Sequence, residues 1–336
     1  MESRYHEKLV VSSAPHQVST INTTKVMGTV ILALAPATIV GFVQFGIRAV
    51  ILTAVCIIAS VVFEYLYNMI NKRTQTVGDL SAVLTGLLIA LNCPARLPLW
   101  IAVIGCFAAI IVVKQLFGGL GQNLFNPAVT ARIFMFIAFA SEMTTWPVAH
   151  FSKLMNEEGV DVTSRATALG ELSHGAPLEE VLQNYSNMDL FLGNCGGCIG
   201  EISALALLIG GIFLIARKII TWHIPVAFLG TVAVLGLIWG ACQGDVIGGC
   251  LFQLFAGGVM LGAFFCATDY VTSPTTAAGK IIFGIGCGLF TMLIRLFASY
   301  PEGVSFAILL MNILTPYIDR VVEGRMFPAP KEGGDK

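Results

Sequence analysis

Glu64 is the residue hardest to explain as packing, because it stands inside an apolar run, Ser60-Val61-Val62-Phe63-Glu64-Tyr65. A carboxylate or guanidinium near the centre of a bilayer costs on the order of 2.5 to 3.5 kcal/mol even by lenient insertion measures, so each one needs a partner or a task. Arg132 raises the same question. It follows Asn123-Leu124-Phe125-Asn126-Pro127-Ala128, where the proline frees backbone groups and two amides stand ready to meet them or a ligand. A second polar break runs through Ala267-Thr268-Asp269-Tyr270-Val271-Thr272-Ser273-Pro274-Thr275-Thr276, and either break can line a cavity. Asp79 and Glu201 each open an apolar run, where a carboxylate can cap a helix N-terminus as readily as serve chemistry. Cys195-Gly196-Gly197-Cys198 is a C-x-x-C pair. One pair supplies only two ligands, and further His or Cys residues do not cluster near it, so no metal is expected and the pair reads as packing.

The elements that must hold these residues follow from composition. Of 336 residues, 56% are hydrophobic and 12% charged, against roughly 25% charged in an ordinary soluble domain. That excludes a soluble enzyme and a disordered segment. A net charge of −1 leaves no basic footprint for nucleic acid. Nine cysteines, an odd number mostly in apolar runs, imply no disulfide framework, and the polar first 24 residues do not read as a signal peptide. About 20 apolar residues cross the hydrocarbon as a helix. The sequence offers ten such runs, near 26–45, 49–70, 79–93, 99–117, 127–140, 198–216, 223–240, 246–267, 281–298 and 304–319. The third and fifth are short or broken. An all-α polytopic membrane protein is expected, with about ten transmembrane helices and lipid as its solvent.

Basic residues set the orientation. Thirteen of the 19 Lys and Arg, Lys114 among them, fall on one side if both termini are cytoplasmic, whereas Arg48, Arg96, Lys153, Arg165 and Arg295 fall outside and Arg132 lies within a span. The long connection 141–197 is then external. It carries eight acids and two bases, and a connection of that length is either functional or a solvated acidic tether. A repeat is also present. Val77-Gly78-Asp79-Leu80-Ser81-Ala82 returns as Ile199-Gly200-Glu201-Ile202-Ser203-Ala204, and Gln115-Leu116-Phe117-Gly118-Gly119 returns as Gln253-Leu254-Phe255-Ala256-Gly257-Gly258. In this topology the two copies enter the membrane from opposite sides, an arrangement that brings substrate or cofactor sites to broken helices near the midplane.

Asp161-Val162-Thr163-Ser164-Arg165-Ala166-Thr167 in the outer loop resembles the D-x-x-S-G-A-T signal at which a flavin transferase esterifies FMN phosphate to a threonine hydroxyl. Gly118 to Ala128, Gly197-Cys198-Ile199-Gly200-Glu201 and Ala267 to Thr275 resemble the RnfD subunits of the Rnf ion-translocating electron-transport complexes. These subunits are similar to the B subunit of the sodium-pumping NADH:quinone reductase. The resemblance runs from about His16 to Asp319. It implies a urea-transporter-like fold with inverted repeats: a cytoplasmic segment 1–25, a first membrane repeat 26–140, an extracytoplasmic loop 141–197, a second membrane repeat 198–319 and a cytoplasmic tail 320–336. It also implies that Thr167 carries covalent FMN, with Asp161, Ser164 and Ala166 as motif positions and Thr163 as the other attachable hydroxyl. Arg165 stands where the pattern has glycine, and its side chain can alter the turn or pair with the phosphate. From the reductase subunit comes a second, non-covalent flavin, riboflavin, at Glu64, Asn123 and Asn126.

The resemblance implies a multi-pass subunit of a bacterial cytoplasmic-membrane translocase. It would relay electrons between ferredoxin and NAD, coupled to Na⁺ or H⁺ translocation, with Rnf subunits A, B, C, E and G as partners and a flavin transferase for maturation. No residue is expected to act as a catalytic acid, base or nucleophile, and the chain alone is not expected to turn over. The competing class is a flavin-free secondary transporter or channel of the same architecture, which inverted repeats and midplane polar groups would equally suit. Topology itself is testable: a reporter fused near Lys153 is expected outside the cell, and cytoplasmic labelling there would overturn the orientation.

Overall fold

The computed structural model describes residues 22–147, 167–298 and 302–326. Among these residues no β-strand forms, and Pro94 and Cys198 make an isolated antiparallel bridge. The helices are α1 (Thr23–Phe45), α2 (Ile47–Ile70), α3 (Ser81–Leu91), α4 (Leu99–Gln115), α5 (Pro127–Ala138), α6 (Ala168–Ser173), α7 (Leu178–Asn184), α8 (Asn187–Leu192), α9 (Ala204–Ala216), α10 (His223–Gln243), α11 (Val246–Phe255), α12 (Val259–Cys266), α13 (Ala277–Phe297) and α14 (Val304–Met326). Each of the ten apolar runs is therefore helical. Five helices (α1, α2, α10, α13 and α14) are long and apolar enough to cross a membrane, and α11 with α12, bent by 60° at their junction, makes a sixth crossing if the pair is one span. By contrast α3, α4, α5 and α9 have 10–17 residues, short of the ~20 that a crossing helix needs.

Local chemistry explains where the helices break. Pro127 opens α5 at a position where its missing N–H costs nothing, and Asn126 caps the turn by accepting from Ala128 N at 3.0 Å and Val129 N at 3.3 Å. Asp79 accepts from Ser81 N at 2.8 Å at the start of α3. Glu201 does not cap α9, because Ser203 does so by accepting from Ala206 N at 3.2 Å. Both copies of the Gln-Leu-Phe repeat end a helical segment at a glycine break, α4 before Gly118 and Gly119 and α11 before Gly257, all three with positive φ. Beyond Ala108 the α4 backbone widens to a π-helix, which turns the residues that follow to a different face from an α-helical continuation.

Helices pair through small residues. α1 lies along α9, α2 along α3 and α4, and α10 along α11 and α13, with α14 against α13. A methyl at Gly86 of α3 would sit 2.7 Å from Cys56 O of α2, and one at Gly210 of α9 would overlap Ala33 O of α1. Without a hydrophobic drive between helices in lipid, such close approach is what holds them together. The described part of the 141–197 connection is no tether. Helices α6 to α8 build a small core of their own, Leu169, Leu178, Val181 and Leu190, closed against Phe252 and Ala256 of the α11 end.

Two of the bases sorted by side do not face water. Lys114, sorted with the cytoplasmic-side bases, is fully buried, and Arg295, sorted to the outer side, is buried at the end of α13. Each is drawn inward by buried acceptors that sequence does not reveal. For the packing, Gly210→Ala is expected to destabilise the purified protein in detergent by ~1–3 kcal/mol through overpacking against the α1 backbone. Gly230→Ala, on an open face of α10, is expected to be neutral or slightly stabilising. Thermal unfolding monitored by size-exclusion recovery distinguishes them, and equal melting points would refute the close-approach account.

Candidate functional site

The first polar cluster is built around Glu64. Its Oε2 accepts from Lys114 Nζ at 2.9 Å, and its Oε1 accepts from Thr76 Oγ1 at 2.6 Å and Gln115 Nε2 at 3.2 Å. Lys114 also donates to Ser81 Oγ at 2.6 Å, and Ser81 in turn donates to Asp79. Glu64 is thus fully buried and met by donors from the α2–α3 turn and the π-helical end of α4. A buried ion pair of this kind contributes little net stability while complete, but removing one partner strands the other at a cost of about 3–5 kcal/mol.

Beside this cluster lies a cavity of ≈ 430 Å³ between the start of α1, α3, the Asn123–Ala128 break and the polar break after α12. That is ample for a planar ring system with a polar edge. Leu84, Leu88, Leu214, Phe264 and Phe265 supply an apolar body, and Lys114, Asn123, Thr268 and Asp269 supply polar points. The three residues assigned to a second flavin behave differently here. Asn123 lines the cavity, and its Oδ1 is buried without a partner. Asn126 also lines it, but its amide is spent: the oxygen caps α5 and Nδ2 donates to Cys266 O at 3.1 Å. Glu64 is not in the wall, because Lys114 stands there and Glu64 lies behind it.

A second cluster gathers at the far end of α3. Arg132 Nη1 donates to Asn92 Oδ1 at 2.8 Å, and Nη2 donates to Glu201 Oε1 at 3.4 Å, to Cys198 Sγ at 3.5 Å and to Glu302. Asn92 closes α3, and Cys198 and Glu201 belong to the segment that precedes α9. The three ligand atoms of Cys198, Glu201 and Glu302 lie within 4.8 Å of one another, close enough to share a metal ion. The guanidinium already donates to all three, so a cationic partner is present without one. Arg295 performs a related task, donating to Gln253 O at 2.6 Å, Gln253 Oε1 at 2.9 Å and Ala256 O at 2.7 Å. It therefore binds the open carbonyls where α11 breaks.

Thr167 rests on this second cluster. It is buried at the N-cap of α6, where its Oγ1 accepts from Gly170 N at 3.1 Å, leaving the hydroxyl proton uncommitted by that bond. With Cys195, Gly196, Gly197, Glu201, Gly257 and Glu302 it lines a cleft of ≈ 20 Å³, room for about one water. Asp161, Thr163, Ser164, Arg165 and Ala166, the other positions assigned to the covalent flavin, lie outside the described residues. Lys114, Asn92, Gln253 and Glu302 are residues that sequence reasoning did not assign to a site. Gln115 and Gln253 did carry a signal, as equivalent positions of the repeat, and each bonds a buried charge, Glu64 or Arg295.

The chain matches the model of the NQR2, RnfD, RnfE family over residues 10–328. It is 46% identical over 325 residues, 96% of each chain, to the D subunit of the Na(+)-translocating ferredoxin:NAD(+) oxidoreductase complex of Acetobacterium woodii. It is 42% identical over 325 residues to the D subunit of the proton-translocating ferredoxin:NAD(+) oxidoreductase complex of Clostridium ljungdahlii, covering 93% of this chain and 94% of that one. The D subunit of an ion-translocating oxidoreductase complex of Stutzerimonas stutzeri is likewise 42% identical, over 90% of this chain and 91% of its own. Similarity that runs through both polar clusters, the cavity and the Thr167 segment alike places the whole chain, and it belongs to the NQR2, RnfD, RnfE family.

Proposed function

We propose that this chain is the flavin-bearing membrane subunit of an ion-translocating ferredoxin:NAD oxidoreductase complex, with FMN esterified to Thr167 on the outer side and a non-covalent riboflavin in the inner cavity. The observation that carries this reading is similarity over nearly the full chain to D subunits of such complexes. In this reading ten helical segments pass into the membrane as two inverted repeats, with both termini cytoplasmic, in a bacterial cytoplasmic membrane. Flavins supply the one- and two-electron chemistry, and the protein fixes their position and surroundings.

The residues present suit both groups. At Thr167 the hydroxyl that caps α6 is the oxygen a phosphoester would use, and it stands in a cleft that Glu201 and Glu302 also line. In the inner cavity the free acceptor of Asn123 suits an imide or amide N–H of a ring edge, and the apolar body suits the ring faces. The two places lie at opposite ends of α1. Val26 and Val30 line the cavity, whereas Val40 and Phe45 pack under α6 to α8, so ~28 Å of helix separates Val26 from Phe45. Electrons passing between them need carriers on partner subunits, which is why the chain is expected to be inactive alone. Rnf subunits A, B, C, E and G and a flavin transferase are the partners this reading requires. The family includes relatives that move Na⁺ and relatives that move protons, and either ion is compatible with this chain.

Two measurements test it. Co-expressed with a flavin transferase, the wild-type chain is expected to fluoresce in a denaturing gel. Thr167→Asn, which keeps a capping side chain but removes the hydroxyl, is expected to be dark at unchanged thermal stability. A dark wild-type band would leave the flavin-free transporter class standing instead. For the inner site, Asn123→Ala is expected to cut extractable flavin at least tenfold with little change in melting temperature. Asn126→Ala is expected to destabilise the protein by about 1 kcal/mol through loss of the cap. The reverse pattern would show that the ligand contact was assigned to the wrong amide.

A further inference from the structure

Lys114 occupies an unusual position. Its side chain forms part of the cavity wall, yet it is fully buried, and two of its three N–H donors are committed, to Glu64 Oε2 at 2.9 Å and Ser81 Oγ at 2.6 Å. The partner carboxylate stands behind it, outside the wall. Glu64 is held there by Thr76 and Gln115, and Asn68 Nδ2 donates to Thr76 Oγ1 at 3.0 Å. The pair is thus a fixed dipole whose positive end is nearer the cavity. Asp269 is the other charged residue of the wall, and its carboxylate accepts from Thr272 Oγ1 at 3.2 Å. A lysine is delivered to this wall because α4 is π-helical over Ala108–Gln115, a local departure that occurs often at functional sites.

We propose that Lys114 sets the electron affinity of the flavin in the inner cavity, and that Glu64 acts as a positioning residue by holding the Lys114 ammonium at the wall. The proposal rests on the riboflavin reading above. A fixed positive charge at low dielectric favours the state of a bound group that carries more electron density, and it does so without reorganising when the electrons arrive. The ammonium therefore raises the reduction potential of whatever ring system it faces. The protein's contribution is electrostatic, and no bond is made or broken by Lys114.

The test uses the purified full chain in the Thr167→Asn background, in which the inner flavin is the one that titrates. Lys114→Gln alone strands Glu64 and can fail to fold, so the informative variant is Glu64→Gln/Lys114→Gln, which removes both charges and keeps polar groups in place. Extracted flavin is expected to stay within twofold of the parent. Reduction is expected to become at least tenfold less favourable, a fall of about 30 mV for a two-electron couple, read by reductive titration against dyes. Lys114→Arg, which keeps the charge, is expected to stay within threefold of the parent. An unchanged midpoint in the double variant overturns the proposal while leaving the flavin reading intact, and so does loss of its flavin, which would make Lys114 a binding residue. No extractable flavin in the parent overturns both.

Discussion

A charge inside a membrane protein must find its partner within the protein, since lipid supplies none, and that requirement organises the rest of this structure. Glu64 is met by Lys114, Thr76 and Gln115; Arg132 is met by Asn92, Cys198, Glu201 and Glu302. Each set draws on segments far apart in the chain. Lys114 comes from 50 residues beyond Glu64, and Glu302 from 170 residues beyond Arg132. Both clusters can be complete only when those segments are correctly placed. Ion pairs of this kind add little to net stability, but an incomplete one is costly, so they select one arrangement of the helices over its near alternatives.

The same requirement explains why broken helices can be tolerated here. A break exposes carbonyls that a continuous helix would satisfy. Arg295 takes the carbonyls of Gln253 and Ala256 where α11 ends, while Asn126 takes the amides of Ala128 and Val129 where α5 begins. Close packing does the remaining work. Gly86 and Gly210 let α3 and α9 lie against the backbones of α2 and α1, where any side chain would hold them off. Charge thus fixes which segments meet, and small residues fix how closely.

Much of this was legible in the sequence, and the failures have physical causes. All ten apolar runs are helices, because long apolar runs leave few alternatives. Glu64 and Arg132 were recognisable as anomalies from their surroundings alone. Their partners were not, since a lysine at the end of an apolar run looks like an interfacial anchor until the π-helical turn rotates it inward. Arg295 misled in the same way, as a base at a helix end that binds a neighbouring helix rather than water. Asn126 was legible as a polar residue at a break, but in Asn-Pro-Ala at a helix start the capping role is the cheaper use of its amide, and it is Asn123 that keeps an unpartnered oxygen beside the cavity. For the acidic connection 141–197 composition left a functional segment and a solvated tether both open, and the spaced apolar residues Leu169, Leu178, Val181 and Leu190 are what let its described part fold.

Putting the two polar clusters at the two ends of α3, Ser81 in one and Asn92 in the other, has a consequence for how such a protein can work. The Arg132 cluster is closed: its cleft admits about one water, and its carboxylates share Arg132. The Glu64 cluster is open on one side, because Lys114 borders a cavity large enough for a ring system. A closed cluster suits a rigid platform, and rigidity is what a covalently tethered group needs if it is to meet a partner carrier repeatedly at one distance. An open cluster suits a ligand whose charge changes, because a fixed ammonium can respond to that change without moving. Paired charges therefore serve two ends from one physical cause. Fully enclosed, they hold a surface in place; left with one face uncovered, they turn the interior of the bundle into a site.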